Sequence, residues 1–166
     1  MQDFFKDLKY GEQFEKLILK KVQKKYPNAH KIEGNHKEYD ILINDKISLE
    51  VKVDNKAIET NNILIESECN GKPSGITTTK ASHWVFITHE KVIWVETIKL
   101  KELLKKYKDS YYTIQGDWQA KRGYFLPHNE LLDISTHYPT PPHYIALMPT
   151  ILTKSQIKNR IKQIIN

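Results

Sequence analysis

Residues 40–53 read DILINDKISLEVKV. Two apolar runs, Ile41–Ile43 and Ile47–Val53, flank Asn44-Asp45-Lys46, whose residue types favour a tight turn, so the stretch predicts a β-hairpin. If the loop has three residues, positions equidistant from Asp45 face each other, and Asp40 lies opposite Glu50 with Cβ atoms about 5 Å apart. A two-residue loop at Asn44-Asp45 would shift this register by one residue and disturb the pairing.

The hairpin carries a set of charged residues that suits metal-assisted chemistry. Side chains alternate along a strand, so Glu50 and Lys52 point to the same face. Two carboxylates as close as those of Asp40 and Glu50 repel each other unless a cation lies between them, and Mg²⁺ prefers such oxygen ligands. The Lys52 ammonium can orient the attacking water, lower its pKa or stabilise charge on a phosphate. The set therefore suits phosphodiester hydrolysis. The pattern Glu-x-Lys alone arises by chance roughly once or twice in a chain of this composition. The alternative interpretation is an ordinary ion pair on a solvated hairpin.

Periodicity along the rest of the chain predicts one mixed α/β domain over residues 1–166. Apolar residues recur at helical spacing over residues 4–22, where Gly11 is a candidate break and Tyr26-Pro27-Asn28 a stop. The other expected elements are a third strand over residues 62–68, a short helix over 76–82, strands over 83–88 and 92–96, a helix over 98–107 capped by Thr97, a late strand over 145–148 and a last helix over 153–165.

Composition bounds the class of protein. Twenty-six basic residues against 20 acidic ones give a net charge of +6, which fits a polyanionic partner such as DNA. The excess of Lys over Arg is also what an AT-rich coding bias, such as that of a phage, would give. No apolar run approaches the roughly 18 residues of a membrane span, and the N-terminus lacks the apolar region of a signal peptide. With Cys69 as the one cysteine, we expect a cytoplasmic protein with no internal disulfide.

The hairpin and the helix before it resemble a known family. Asp40, followed after nine residues by Glu50-Val51-Lys52 and preceded by Gly11-Glu12-Gln13-Phe14-Glu15, is similar to the pattern of the PD-(D/E)XK nuclease superfamily. The Gly-x-x-Phe-Glu spelling is similar to that of archaeal-type Holliday junction resolvases, and residues 62–84 resemble uncharacterised phage-type members. Tyr39 stands where the superfamily often has Pro.

The resemblance implies a restriction-endonuclease-like α-β-β-β-α-β core over about residues 8–96, with a C-terminal extension over about 97–166. Residues 74–82 leave a short segment for the second core helix. It also implies a DNA nuclease that depends on Mg²⁺, or on Mn²⁺ as a substitute, and leaves a 5′-phosphate and a 3′-hydroxyl. Asp40 and Glu50 would bind the metal with the Val51 carbonyl, and Lys52 would act on the water. Glu15 would be the helix acid, with Glu12 as its competitor.

Further residues are candidates for the metal or for DNA. Glu66 and Glu68 share a face of the third strand, where they would supply a second metal position or a ligand to its water, or form a solvated edge. The candidate DNA contacts are Lys72, Ser74 and Lys80 around a Gly-containing loop, and Lys121 and Arg122 within an aromatic segment. Lys80 is also a candidate site residue. The segment 111–125 would stack bases or form an amphipathic hairpin packed on the domain.

Two other functions stay open from the sequence. A catalytically inactive DNA-binding module on the same fold would bind DNA in a salt-sensitive way without needing a metal. A structural or adaptor domain would use the basic C-terminal half for protein contacts. A homodimer would supply the two active sites that cutting both strands of a duplex requires.

Overall fold

The computed structural model describes residues 2–34, 38–114 and 120–149. The chain is mixed α/β, with two sheets and helices around them, as the sequence predicts at that level. The first sheet has the strand order β1-β2-β3-β6-β7-β10, and the second has the order β5-β4-β9-β8. The strands are β1 His30–Lys31, β2 Ile41–Ile43, β3 Ile47–Val53, β4 Asn62–Cys69, β5 Lys72–Pro73, β6 His83–Ile87, β7 Lys91–Glu96, β8 Tyr111–Ile114, β9 Lys121–Pro127 and β10 Thr136–Pro139.

Five α-helices and two short 3₁₀ turns complete the described part of the chain. The helices are α1 Gln2–Gln23, α2 Ala57–Thr60, α3 Thr97–Leu104, α4 His128–Asp133 and α5 Pro142–Ile145, and the 3₁₀ turns are Gly75–Thr77 and Lys105–Tyr107. In the first sheet β3 pairs antiparallel with β2 and parallel with β6. The hairpin strand β3, which carries Glu50 and Lys52, is therefore one of the two central strands of that sheet.

The first sheet is covered on both faces, which fixes the direction of every side chain of β3. Helices α1 and α5 cover one face, where Phe14, Ile18, Leu49, Val51 and Val85 are buried together. The second sheet and α3 cover the other face, around Ile63, Ile65, Trp84, Phe86 and Leu126. Since side chains alternate along a strand, Glu50 and Lys52 point away from α1, toward the side on which the second sheet lies.

Several predicted elements differ in the structure. Helix α1 runs through Gly11 without a break, because a single glycine lowers helix stability by only about 1 kcal/mol and the rest of the amphipathic face is intact. The short helix expected at residues 76–82 is only the 3₁₀ turn Gly75–Thr77. Thr97 does not cap α3, which begins at Thr97 itself, and its hydroxyl donates to the Ala81 carbonyl at 2.6 Å.

The late strand expected at residues 145–148 is wrong. Pro142 begins α5, where its fixed φ and missing N–H favour the first turn of a helix. Tyr144 and Met148 are buried against the core while Ile145 and Leu147 are exposed, which is a helical and not an alternating pattern. The last helix expected at residues 153–165 lies outside the described residues.

The restriction-endonuclease-like arrangement stays a prediction. The order helix, hairpin and third strand is present along the chain. However, β4 pairs with β5 and β9 in the second sheet, not with a strand of the first. The β3–β6 pairing is instead aligned by Ser48 and Ser82, whose backbone amides each donate to the hydroxyl of the other at 3.0 and 2.9 Å.

Candidate active site

The loop of the β2–β3 hairpin has three residues, so the predicted register is confirmed. Ile41 pairs with Leu49, and Ile43 pairs with Ile47. Asn44 and Asp45 have φ of 49° and 54°, a left-handed backbone that Asn and Asp tolerate better than other non-glycine residues.

Asp40 lies where β2 separates from β3. Its N–H donates to the Leu49 carbonyl at 2.8 Å, and its Oδ2 accepts the Val51 N–H at 2.7 Å. The carboxylate thus accepts the N–H that a backbone carbonyl of β2 would accept if the two strands continued to pair. The N–H and C=O of one strand residue point to the same edge of the strand, so the Val51 carbonyl also faces the gap between β3 and Asp40, where β2 leaves β3. Asp40 is 4% exposed, and the hairpin therefore holds a buried carboxylate beside the Val51 peptide.

Lys52 and Glu50 lie side by side on β3, which confirms that they share a face. Lys52 Nζ is 2.7 Å from Glu50 Oε1, and the Lys52 side chain is 47% exposed. Partial desolvation of the side chain, the largest single influence, lowers the Lys52 pKa, but the charge and hydrogen bond of Glu50 and the charges of Asp40 and Glu66 together raise that pKa above its ordinary value. Lys52 is therefore an ammonium at neutral pH, set among three carboxylates.

Both candidate helix acids contact Lys31 of β1. The Glu15 carboxylate is 2.9 Å from Lys31 Nζ with 11% of its side chain exposed, whereas Glu12 is 3.6 Å away and 40% exposed. Glu15 is itself buried, next to Phe14 in α1. Burial favours Glu15 over Glu12, and its role as helix acid stays a prediction. Lys31 was not expected, because a two-residue strand gives no periodic signal.

Glu66 and Glu68 do not share a face, so that prediction is wrong. Glu66 is opposite Gly123, whereas Glu68 is opposite Arg122, because one extra residue in β4 forms a β-bulge between them. Gly123 and Arg122 are neighbours and point to opposite faces of β9. Of these two carboxylates, Glu66 is the one whose charge raises the Lys52 pKa.

Glu66 has two close partners that were singled out in the sequence as DNA contacts. Ser74 Oγ donates to Glu66 Oε1 at 2.8 Å, and Lys121 Nζ is 3.5 Å from Glu66 Oε2. The 3₁₀ turn after β5 approaches β4 so closely that a Cβ on Gly75 would lie 2.2 Å from the Glu66 carbonyl oxygen. Ser74 and Lys121 thus both contact Glu66, the carboxylate whose charge raises the Lys52 pKa.

The other candidate DNA contacts occupy three different places. Lys72 is exposed on β5. Lys80 forms an ion pair with Glu38, and its carbonyl accepts from the Ser48 hydroxyl at 3.3 Å, so it lies beside β3. Arg122 packs over the Tyr111 ring, 4.4 Å from the centroid, on the face opposite Lys121.

The donor atoms at the hairpin are of the type that a hard divalent cation binds. Asp40, Glu50 and the Val51 carbonyl offer only oxygen atoms, the ligands that Mg²⁺ prefers. Among the described residues no group of three or more His, Cys, Asp or Glu side chains is arranged to hold a metal. A cation here would therefore be held by two carboxylates with a backbone carbonyl, not by side chains alone.

Comparison of the chain with protein-family models, curated proteins and solved structures finds no match. The resemblance to the PD-(D/E)XK superfamily accordingly rests on the residues of the hairpin and of α1. No helix in the described ranges is long and apolar enough to cross a membrane.

Proposed function

We propose that this protein is a metal-dependent deoxyribonuclease that hydrolyses phosphodiester bonds at the hairpin of β2 and β3. The observation that carries the proposal is the joint position of Asp40, Glu50, Val51 and Lys52. Asp40 Oδ2 accepts the Val51 N–H at 2.7 Å, and Lys52 lies 2.7 Å from Glu50. One short segment thus offers oxygen donors for a cation and an ammonium beside them.

Asp40, Glu50 and the Val51 carbonyl would hold Mg²⁺, with Mn²⁺ as a substitute. When bound, the cation supplies positive charge that stabilises the phosphate in attack and makes a water more acidic. The hydrogen bond from the Val51 N–H fixes the Asp40 carboxylate in advance, so little side-chain freedom is lost on binding.

Lys52 acts as a cation and not as the general base. Its raised pKa keeps it protonated, so its N–H groups donate to the attacking water or to a phosphate oxygen. In the free protein Lys52 contacts Glu50 at 2.7 Å, and the three N–H donors of its ammonium allow it to contact a phosphate oxygen as well. Glu15, paired with Lys31, is the candidate that supports the cation or its water.

DNA is the proposed partner because the chain offers several groups suited to phosphate oxygens. Lys80 lies beside β3 and Lys121 lies beside Glu66. Lys72 and Arg122 add positive charge on the second sheet, and Ser74 adds a hydroxyl. The net charge of +6 supports the same partner. A homodimer would place two such sites on a duplex.

The experiment is cleavage of labelled single-stranded, duplex and four-way-junction DNA in Mg²⁺, Mn²⁺ or EDTA. Lys52→Ala is compared with Lys99→Ala, a matched control, because Lys99 also pairs with a glutamate and is 54% exposed, on α3. We expect cutting that requires the cation, disappears in Lys52→Ala and persists in Lys99→Ala.

Three results would oppose the proposal in different ways. Cutting that persists in EDTA would exclude metal dependence. Full activity of Lys52→Ala would show that hydrolysis takes place at another site. Salt-sensitive DNA binding with no cutting of any substrate would leave the inactive binding module on this fold.

A further inference from the structure

One face of the second sheet is not used for core packing at its β8–β9 edge. Residues opposite each other on neighbouring antiparallel strands point to the same face. Leu64 is opposite Phe125, and Glu66 is opposite Gly123, which is opposite Tyr112. Beyond the bulge, Cys69 is opposite both Lys121 and Lys72. The outer face of the second sheet, as we name it, comprises Leu64, Glu66, Cys69, Lys72, Tyr112, Lys121 and Phe125, while Ile63, Ile65 and Leu126 point to the core.

Two aromatic side chains lie open on the outer face. Tyr112 is 49% exposed and Phe125 is 37% exposed, and their ring centroids are 5.5 Å apart. Among the side chains that the structure describes, they are the two exposed large aromatic ones. Exposed rings on neighbouring strands are a surface on which nucleic-acid bases stack, since every base has a π-face.

Positive charge lies in the next row of the outer face, beside the row that holds Tyr112 and Glu66. Lys72 and Lys121 flank Cys69 on either side, about 10 Å apart by the spacing of three strands. Lys121 is 3.5 Å from Glu66, and Asp54, directly after β3, accepts the N–H of Leu64 on β4 at 3.0 Å. The strand that carries Glu66 therefore contacts the end of the hairpin strand that carries Lys52.

We propose that the outer face binds an unpaired segment of the DNA substrate and delivers it to the hairpin. Bases stack on Tyr112 and Phe125, and phosphates contact Lys72 and Lys121. The occupant is single-stranded because bases in a duplex are stacked on each other and offer no free face to a side-chain ring. This inference rests on the proposed nuclease function and narrows its substrate to DNA with an unpaired segment.

The test measures affinity for a fluorescent single strand and for a duplex of the same sequence. All proteins carry Lys52→Ala, so that Mg²⁺ can be present without cutting. Tyr112→Ala and Phe125→Ala are expected to weaken single-strand binding about 5- to 150-fold each and to leave duplex binding within about twofold. Tyr112→Phe keeps the ring and should bind as the parent does. The control is Ile98→Ala, which removes an apolar side chain that is 73% exposed on α3.

Single-strand affinity that is unchanged in both alanine variants would overturn the stacking proposal. Equal losses for single strand and duplex would also overturn it, because stacking acts on unpaired bases. The stacking proposal would then fail alone, and the nuclease proposal would stand, if the parent protein binds DNA and the wild type cuts it. If no protein binds DNA and the wild type cuts none, both proposals fail.

Discussion

Replacing Asp40 separates its structural role from its role toward a cation. Asp40→Ala leaves the buried Val51 N–H without the acceptor that it has at 2.7 Å, whereas Asp40→Asn keeps an oxygen acceptor and removes the charge. Both variants lose a carboxylate that faces the same gap as the Val51 carbonyl. The alanine variant should therefore lose stability and metal binding, and the asparagine variant metal binding alone.

The magnitudes follow from these contacts. A buried N–H without a partner costs about 1–3 kcal/mol, and 1 kcal/mol shifts the Tm of a chain of this size by about 2–4 °C. Asp40→Ala should thus lower the Tm by about 2–12 °C, and Asp40→Asn by less than about 4 °C. A cation at a hundred times its Kd stabilises the wild type by about 2.7 kcal/mol, which raises its Tm by about 5–11 °C.

The assay is thermal unfolding of the wild type and the two variants, each with EDTA and with saturating Mn²⁺. We expect the Mn²⁺-dependent rise in the wild type alone. A rise of the same size in both variants would show that Asp40 does not hold the cation. Equal stability of the two variants in EDTA would contradict the role given to the Asp40–Val51 hydrogen bond.

Three further predictions concern Lys52, Gly75 and His128. Because the Lys52 pKa is raised, its ammonium and the stability that it contributes are present below the unfolded pKa of about 10.4 and are lost as pH rises above that value. An alkaline loss of cleavage below about pH 9 that shifts in Lys52→Arg would contradict the raised Lys52 pKa. Gly75→Ala, at φ +50° and with a Cβ 2.2 Å from the Glu66 carbonyl oxygen, should destabilise the protein by at least about 1 kcal/mol in denaturant unfolding, and an unchanged midpoint would refute the close approach. Burial lowers the His128 pKa, so the neutral ring stabilises the fold above about pH 6.5, and that contribution is lost as pH falls. The free energy of unfolding of His128→Gln should therefore decrease less than that of the wild type between about pH 7.5 and 5.5. Equal decreases in the two proteins would contradict the lowered His128 pKa.

The hairpin could be predicted because its signals are local. Two apolar runs with Asn44 and Asp45 between them specify the strands and the turn within 14 residues. The register followed once the loop had three residues, the alternative that the structure shows. Strand alternation places Glu50 and Lys52 on one face, as the 2.7 Å contact confirms. The hydrogen bond from the Val51 N–H to Asp40 could not be predicted, because it depends on where β2 separates from β3.

The positions of Glu66 and Glu68 show where strand alternation fails. The rule gives one face for both, but a single extra residue in β4 reverses everything beyond it. No residue type in the segment signals the bulge. The link from Glu66 to Lys121 was equally hidden, because β4 and β9 are far apart in sequence and pair only in the folded chain.

The most direct test of the central claim measures Mn²⁺ binding and DNA cleavage on the same samples. Mn²⁺ is titrated into the wild type and Glu50→Gln while bound ion is followed by electron paramagnetic resonance and cleavage by gel. We predict that Mn²⁺ binding and cleavage rise together in the wild type and are lost together in Glu50→Gln. Cleavage by Glu50→Gln at the wild-type rate, or Mn²⁺ binding that is unchanged by the substitution, would contradict a metal-dependent nuclease site at this hairpin.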